Sequence, residues 1–208
     1  MNPLDAHDIV TTLGTIGVLT ALFVETGLLV GLFLPGDSLL FVAGLAASGT
    51  AREIFGDQLS YTQLMIWAPI CATAGSQFGH WLGAKFGRPF FDRPDSRFFN
   101  QERVQQTERW LMKYGIGKAL ILSHFIPFVR TLLNPLCGII GIPARKFFVW
   151  NIIGSYIWTV GIISAGYLIG EKLQGSVDRY LLPIVALIIA ASLMPITFEI
   201  LRNRNSQK

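Results

Sequence analysis

Three charged side chains stand where charge is costly. Arg130 follows eleven residues without formal charge, 119–129, and precedes fourteen more, 131–144. Glu25 has sixteen uncharged residues before it and eleven after it, and Asp37 closes that second run. Ionisable groups inside apolar stretches mark a polar cavity or a charge partner within hydrocarbon. A guanidinium presents a forked, permanently charged set of donors that matches a phosphate or a carboxylate. The two acids can pair with that guanidinium or take up a proton. His124 precedes Arg130 by six positions and belongs to the same apolar stretch. Such a set suits holding and releasing an anion.

The elements that must position these residues follow from the breaks around them. Pro35 and Gly36 interrupt the first apolar stretch, 9–47, because Pro lacks a backbone donor and Gly relaxes φ. Asp37 or Ser38 then suits the cap of the next helix. The apolar piece that follows, 38–47, reaches roughly 15 Å at 1.5 Å per residue, about half a bilayer. It reads as one leg of a re-entrant hairpin whose tip lies within Thr26–Gly36. On a straight helix Glu25 and Asp37 would lie about 18 Å apart, whereas a hairpin brings both to its tip. The second interrupted stretch, 116–144, holds Pro127, Asn134 and Pro135 with Arg130 between the prolines. It predicts a second re-entrant hairpin, with Arg130 lining a polar cavity. Opposed broken segments are a signature of transporters built from inverted repeats, whose half-helix N-termini favour an anionic headgroup.

Composition places this arrangement in a membrane. Of 208 residues, 51% are hydrophobic and 14% charged. Soluble domains average about 25% charged residues, and disordered chains are richer still. Residues 58–84, 147–170 and 180–198 hold no Asp, Glu, Lys or Arg. Full transmembrane helices are expected at about 61–84, 147–170 and 180–200. The segment 85–118 holds eight Lys and Arg against four acids, whereas 1–51 holds no Lys or Arg. The positive-inside rule therefore puts loop 85–118 and the C-terminus in the cytoplasm. The apolar N-terminal stretch lacks the basic start and cleavage site of a secretory signal. The expected fold is an all-α polytopic membrane protein. It is read as a single domain over 1–208, with hairpins 9–47 and 116–144 and a cytoplasmic amphipathic segment 85–115.

Gly75, Gly79, Gly83 and Gly87 recur every four residues and predict a close helix–helix contact. Ser76, Gln77 and His80 lie on the same helix and are candidates to face a cavity. Asn151, Gly154 and Trp158 form a mixed polar and small face on the helix beginning at 147. Cys71 and Cys137 read as small hydrophobes rather than a disulfide or a metal pair. The aromatic and basic residues of 85–115 suit an interfacial helix on anionic lipid, and no nucleic-acid motif accompanies them.

Several of these blocks are recognisable. Phe23-Val24-Glu25-Thr26-Gly27 and Phe33-Leu34-Pro35-Gly36-Asp37-Ser38-Leu39-Leu40 resemble the first signature of the DedA family of bacterial inner-membrane proteins. That family belongs to the superfamily sharing the VTT, or SNARE-associated, domain. The stretch Gly75 to Gly87 resembles its glycine-rich helix, and Phe125 through Thr131 its arginine-containing hairpin. Asn151, Gly154 and Trp158 match a further pattern, and the resemblance covers about residues 15–202. It implies facing re-entrant hairpins and translocation of a lipid-linked phosphate, chiefly undecaprenyl phosphate, with ion-motive force implicated. The family's two essential acids fall on Glu25 and Asp37 and its second arginine on Arg130. Its first arginine falls on His124, and an acidic position falls on Ser76.

The expected function is therefore a flippase for a polyprenyl phosphate or a phospholipid. Arg130 and His124 would bind phosphate, and Glu25 and Asp37 would couple H⁺ or Na⁺. A proton- or cation-coupled exporter and a passive scramblase use the same residues and remain alternatives. A lipid diphosphate phosphatase would need a nucleophilic or general-base His with clustered Lys and Arg, and the three His residues build no such block. No cofactor is implied, and a homo-oligomer is compatible with the sequence.

Overall fold

The computed structural model describes residues 6–28, 36–49, 59–91, 109, 111 and 113–172. Pro35, loops 50–58 and 173–179, most of the cytoplasmic segment and the helix expected at 180–200 lie outside them. The described residues form six helices and no strand. They are α1 (Ala6–Gly27), α2 (Gly36–Ala46), α3 (Tyr61–Phe91), α4 (Ile116–Ser123), α5 (Pro127–Ile139) and α6 (Ala144–Lys172). Only α6 among the described residues is long and apolar enough by itself to cross a membrane. Two further helical pieces, Gly14–Gly27 and Gly36–Ala46, are apolar but shorter.

Each break has a local cause. Within α1 the backbone of Gly14 has φ 56° and ψ −146°, a combination open to glycine and strained for a side chain. α2 starts at Gly36, which puts Asp37 inside its first turn rather than at its cap. A carboxylate there still meets the positive end of the helix. Gly115, at φ 75°, immediately precedes α4. At the end of α4 the amides of His124, Phe125 and Ile126 each bond three residues back instead of four. That tightening bypasses the carbonyl of Leu120, which accepts instead from Ser123 Oγ at 2.7 Å and His124 Nδ1 at 2.8 Å. Ile126 is extended (φ −120°, ψ 101°), as expected before proline, and Pro127 opens α5 where its missing N–H costs nothing. The second interruption therefore lies before Pro127. Asn134 and Pro135, expected as part of a break, stand inside α5, which continues through both. Membrane helices accommodate such a proline when neighbouring groups satisfy the backbone it frees.

The chain divides into two compact units. The first comprises residues 1–18, 33–65 and 162–208. Its core is the apolar face of α2, with Leu39, Leu40, Val42, Ala43 and Leu45 all buried. Gly44 lies against the backbone of Ile163, and Gly166 against the carbonyl of Phe41. In the same unit Tyr61 packs on Tyr167, ring centroids 4.2 Å apart, and its hydroxyl lies 3.1 Å from Ser164 Oγ.

The second unit comprises residues 19–32 and 66–161. Here the glycine row of α3 serves two partners. Gly75 and Gly79 seat the end of α1 against Phe23, Thr26 and Gly27. Gly83 and Gly87 seat α5 against Pro135 and Ile139. Gly138 of α5 returns the contact by lying against the His80 carbonyl. Leu111, Ala119, Leu120, Leu133, Cys137, Ile142 and Phe147 form the apolar cluster of this unit. A Cβ at Gly83 would overlap the Pro135 carbonyl, whereas nothing lies within 4 Å of one at Gly161. Gly83→Ala is expected to cost about 1–3 kcal/mol and lower the melting temperature of the protein in detergent. Gly161→Ala in the same assay should be neutral or slightly stabilising.

Candidate functional site

The site is built on the second unit, from the last turn of α1, the α4–α5 break and one face of α6. Glu25 is 2% exposed and Arg130 1%. Their side chains form an ion pair through Glu25 Oε1 and Arg130 Nη2. The second terminal nitrogen, Nη1, donates to the carbonyl of His124 at 3.0 Å. The guanidinium carbon lies 3.8 Å from the ring centroid of Trp158. The cation is thus held by a carboxylate, a carbonyl freed by the break, and an aromatic face. A desolvated contact of the last kind is worth about 2 kcal/mol.

The backbone breaks make this arrangement possible. Glu25 lies two residues before the end of α1, and Arg130 lies in the first turn of α5. Asn134, one turn further along α5, donates from Nδ2 to the Thr26 carbonyl at 2.9 Å. That bond ties α5 to the end of α1 beside the ion pair. Thr26 Oγ1 donates back to the Leu22 carbonyl at 2.9 Å, the i−4 back-bond by which a threonine inside a helix satisfies its hydroxyl.

His124 is 1% exposed and has both ring nitrogens engaged. Besides Nδ1 on the Leu120 carbonyl, Nε2 lies 3.1 Å from Ser155 Oγ. Ser155 Oγ lies 3.3 Å from Asn151 Oδ1, and Asn151 Nδ2 donates to the Thr73 carbonyl at 3.1 Å. Gly154 gives the imidazole its seat, since a Cβ there would overlap Nδ1. Asn151, Ser155, Trp158 and Thr159 are all buried. They recur at helical spacing on one face of α6.

Of the residues expected at the site, Glu25, His124 and Arg130 come together, and Asn134 supports them. Asp37 belongs to the first compact unit, half-buried in the first turn of α2. His80 serves structure: Nε2 lies 2.9 Å from the Ile142 carbonyl, and the ring stacks on Phe147. Ser76 Oγ and Gln77 Oε1 are buried without a hydrogen-bond partner among the described residues. Ser155 and Thr73 escaped the sequence reading. Ser155 was accessible from its i+4 spacing to Asn151, but Thr73 contributes a backbone carbonyl, which leaves no trace in sequence. Trp158, expected as part of a mixed polar and small face with Asn151 and Gly154, is the platform for the guanidinium. No group of three or more His, Cys, Asp or Glu gathers among the described residues.

Polarity is inverted relative to a water-soluble protein. The buried face of α6 carries Asn151, Ser155 and Thr159, while Val149, Ile152, Ile153, Tyr156 and Ile157 are exposed. A contiguous apolar exterior of this kind fits lipid rather than water. These features define a helical membrane protein whose polar groups are turned inward.

Comparison with known sequences supplies the family. Residues 34–168 match the VTT domain. The chain is 35% identical to Protein DedA of Escherichia coli K12 over 185 residues, covering 89% of this chain and 81% of that one. It is 32% identical over 179 residues to an uncharacterized membrane protein of Mycobacterium tuberculosis, with 86% and 75% covered. It is 28% identical over 201 residues to the E. coli inner membrane protein YghB, with 88% and 82% covered. No solved structure matches. The chain belongs to the DedA family of VTT-domain membrane proteins.

Removing one member of a buried ion pair leaves the other uncompensated, at about 3–5 kcal/mol. Glu25→Gln and Arg130→Gln are each expected to show a loss of this order on unfolding in mixed micelles. The double variant should lose clearly less than the sum of the two. Simple additivity would show that the two side chains are not energetically coupled.

Proposed function

We propose that this protein moves a lipid-linked phosphate across the bacterial cytoplasmic membrane, with undecaprenyl phosphate as the substrate and ion-motive force as the drive. The observation that carries the reading is the Arg130 guanidinium, buried at a helix break and balanced by the Glu25 carboxylate. A phosphate monoester bears nearly two negative charges and crosses hydrocarbon only when its charge is met. Arg130 stands in the first turn of α5, where the helix end adds a partial positive charge. An anion arriving there replaces Glu25, whose carboxylate occupies the guanidinium in the absence of substrate. Release of Glu25 frees it to bind a proton or cation, and Asp37 takes part in the same coupling. Exchange of a carboxylate for a phosphate on one guanidinium gives the alternation between empty and loaded states that transport requires.

In this reading α1 with α2, and α4 with α5, are opposed re-entrant hairpins. α3, α6 and the apolar segment 180–200 span the bilayer. Loop 85–118 and the C-terminus face the cytoplasm, where their Lys and Arg meet anionic lipid. The reading assigns the protein to transport rather than to catalysis.

The test is translocation of undecaprenyl phosphate in proteoliposomes, with and without an imposed pH gradient. The wild type is expected to move it, faster with the gradient. Glu25→Gln/Arg130→Gln, which avoids an uncompensated charge, should fold and lose translocation at least tenfold. Transport undiminished in that variant would overturn the reading.

A further inference from the structure

Resting on the reading above, we propose that His124 is a proton-binding residue of the transport site, its charge registered by a hydrogen-bonded string through Ser155 and Asn151 to Thr73. The argument is a count of hydrogens. The string has a fixed acceptor at each end. The Leu120 carbonyl only accepts, so Nδ1 of His124 carries a hydrogen. The Thr73 carbonyl only accepts, so the amide nitrogen of Asn151 faces it and Oδ1 is turned to Ser155. Between them, Ser155 Oγ lies 3.1 Å from Nε2 and 3.3 Å from Oδ1, with one hydroxyl hydrogen to give. When that hydrogen goes to Oδ1, Nε2 must bring its own, and the imidazole is a cation. When the ring is neutral, Nε2 takes the Ser155 hydrogen and Oδ1 loses it.

The string therefore has two states one proton apart. Uptake of a proton forms the Nε2–H bond and turns the Ser155 hydroxyl from Nε2 to Asn151. No other bond changes. Both contacts are satisfied together only in the cationic state.

The surroundings give that charge a use. On its own segment His124 is joined to Arg130 through its backbone carbonyl, and from α1 Glu25 completes the pair. From α6 it meets Gly154, Ser155, Trp158 and the Asn151 side chain, none of which titrates. From α3 the string ends at the Thr73 carbonyl, and His80 of that helix is turned to Ile142 and Phe147. With His124 neutral, Glu25 and Arg130 cancel. With His124 protonated, the buried set carries one net positive charge. Arg130 repels that charge, and an arriving anion stabilises it. Anion binding and proton uptake are then linked, each strengthening the other by the same factor. His124 thus acts through its charge. Its ring nitrogens are spent on Leu120 and Ser155, so it is not a direct phosphate ligand.

The experiment uses the full chain in nanodiscs with farnesyl phosphate as the probe, together with ¹⁵N spectra of histidine rings, His124 being assigned by loss of its signals in His124→Gln. His124 is expected to show a doubly protonated ring on acidification, and Ser155→Ala should shift its midpoint. Farnesyl phosphate affinity should rise by up to about tenfold per pH unit on acidification across that transition. His124→Gln and His124→Arg should both remove the His124 share of the slope, leaving only what Glu25 and the phosphate itself contribute, the first with weak binding and the second with tight. A ring that stays neutral between pH 5 and 8, or an unchanged slope in His124→Gln, would overturn the proposal. A titrating ring that responds to Ser155→Ala, with no farnesyl phosphate binding at any pH, would uphold the proton site and overturn the lipid-phosphate reading instead.

Discussion

A guanidinium cannot be left alone in an apolar interior, and the second compact unit is organised around that constraint. Arg130 has two of its nitrogens directed at oxygen, one at Glu25 and one at the His124 carbonyl, and its face covered by Trp158. Each partner comes from a different place in the chain, so satisfying one side chain fixes three pieces of backbone. The carbonyl of His124 that accepts from Arg130 lies where the backbone departs from the i−4 pattern at the end of α4. The helix break is therefore part of the charge's environment as well as a topological device. Desolvation of both ions is offset by that geometry, which explains why so much polar structure converges on so small a volume.

Much of this was legible in the sequence because the costs are large. A single Arg among 25 uncharged neighbours, or a Glu among 27, is a signal that lipid makes unambiguous. Their pairing needed the fold, since the two lie 105 positions apart. The break before Pro127 was visible from the proline's missing donor, but the same rule misplaced a second interruption at Pro135. A missing N–H costs nothing at the first position of a helix. Inside a helix its cost depends on neighbours that sequence does not display, and here the flanking helix tolerates it. The glycine row was readable as a packing surface, although not the fact that it serves two different helices. What escaped altogether was the hydrogen-bonded string. Backbone carbonyls of Leu120 and Thr73 terminate it, and every residue type has a carbonyl.

The hydropathy of α3 makes the same point in reverse. With 31 residues it is the longest of the described helices, yet α6 is the one among them long and apolar enough as a whole to cross a membrane. Its Gly, Ser, Thr, Gln and His residues lower the average, and many of them are buried against protein. A helix that supplies close contacts and carbonyl acceptors to its neighbours spends its hydrophobicity on one outward stripe, Ile66, Trp67, Ile70, Phe78 and Trp81. Averaging over all faces hides that stripe.

That division of labour makes α3 a ruler. Glu25 and Arg130 sit on helices that touch successive notches of one rod, Gly75 and Gly79 for the first, Gly83 and Gly87 for the second, with Gly79 also meeting Asn134 of the second. The gap between the opposite charges is thus dictated by a third segment that carries neither. Adding a single residue between Gly79 and Gly83 would swing one pair of notches by about 100° and lengthen the rod by about 1.5 Å, leaving every ionisable group in the protein untouched. Acid and base would then face in different directions, and a chain with an intact inventory of charges would have lost its centre.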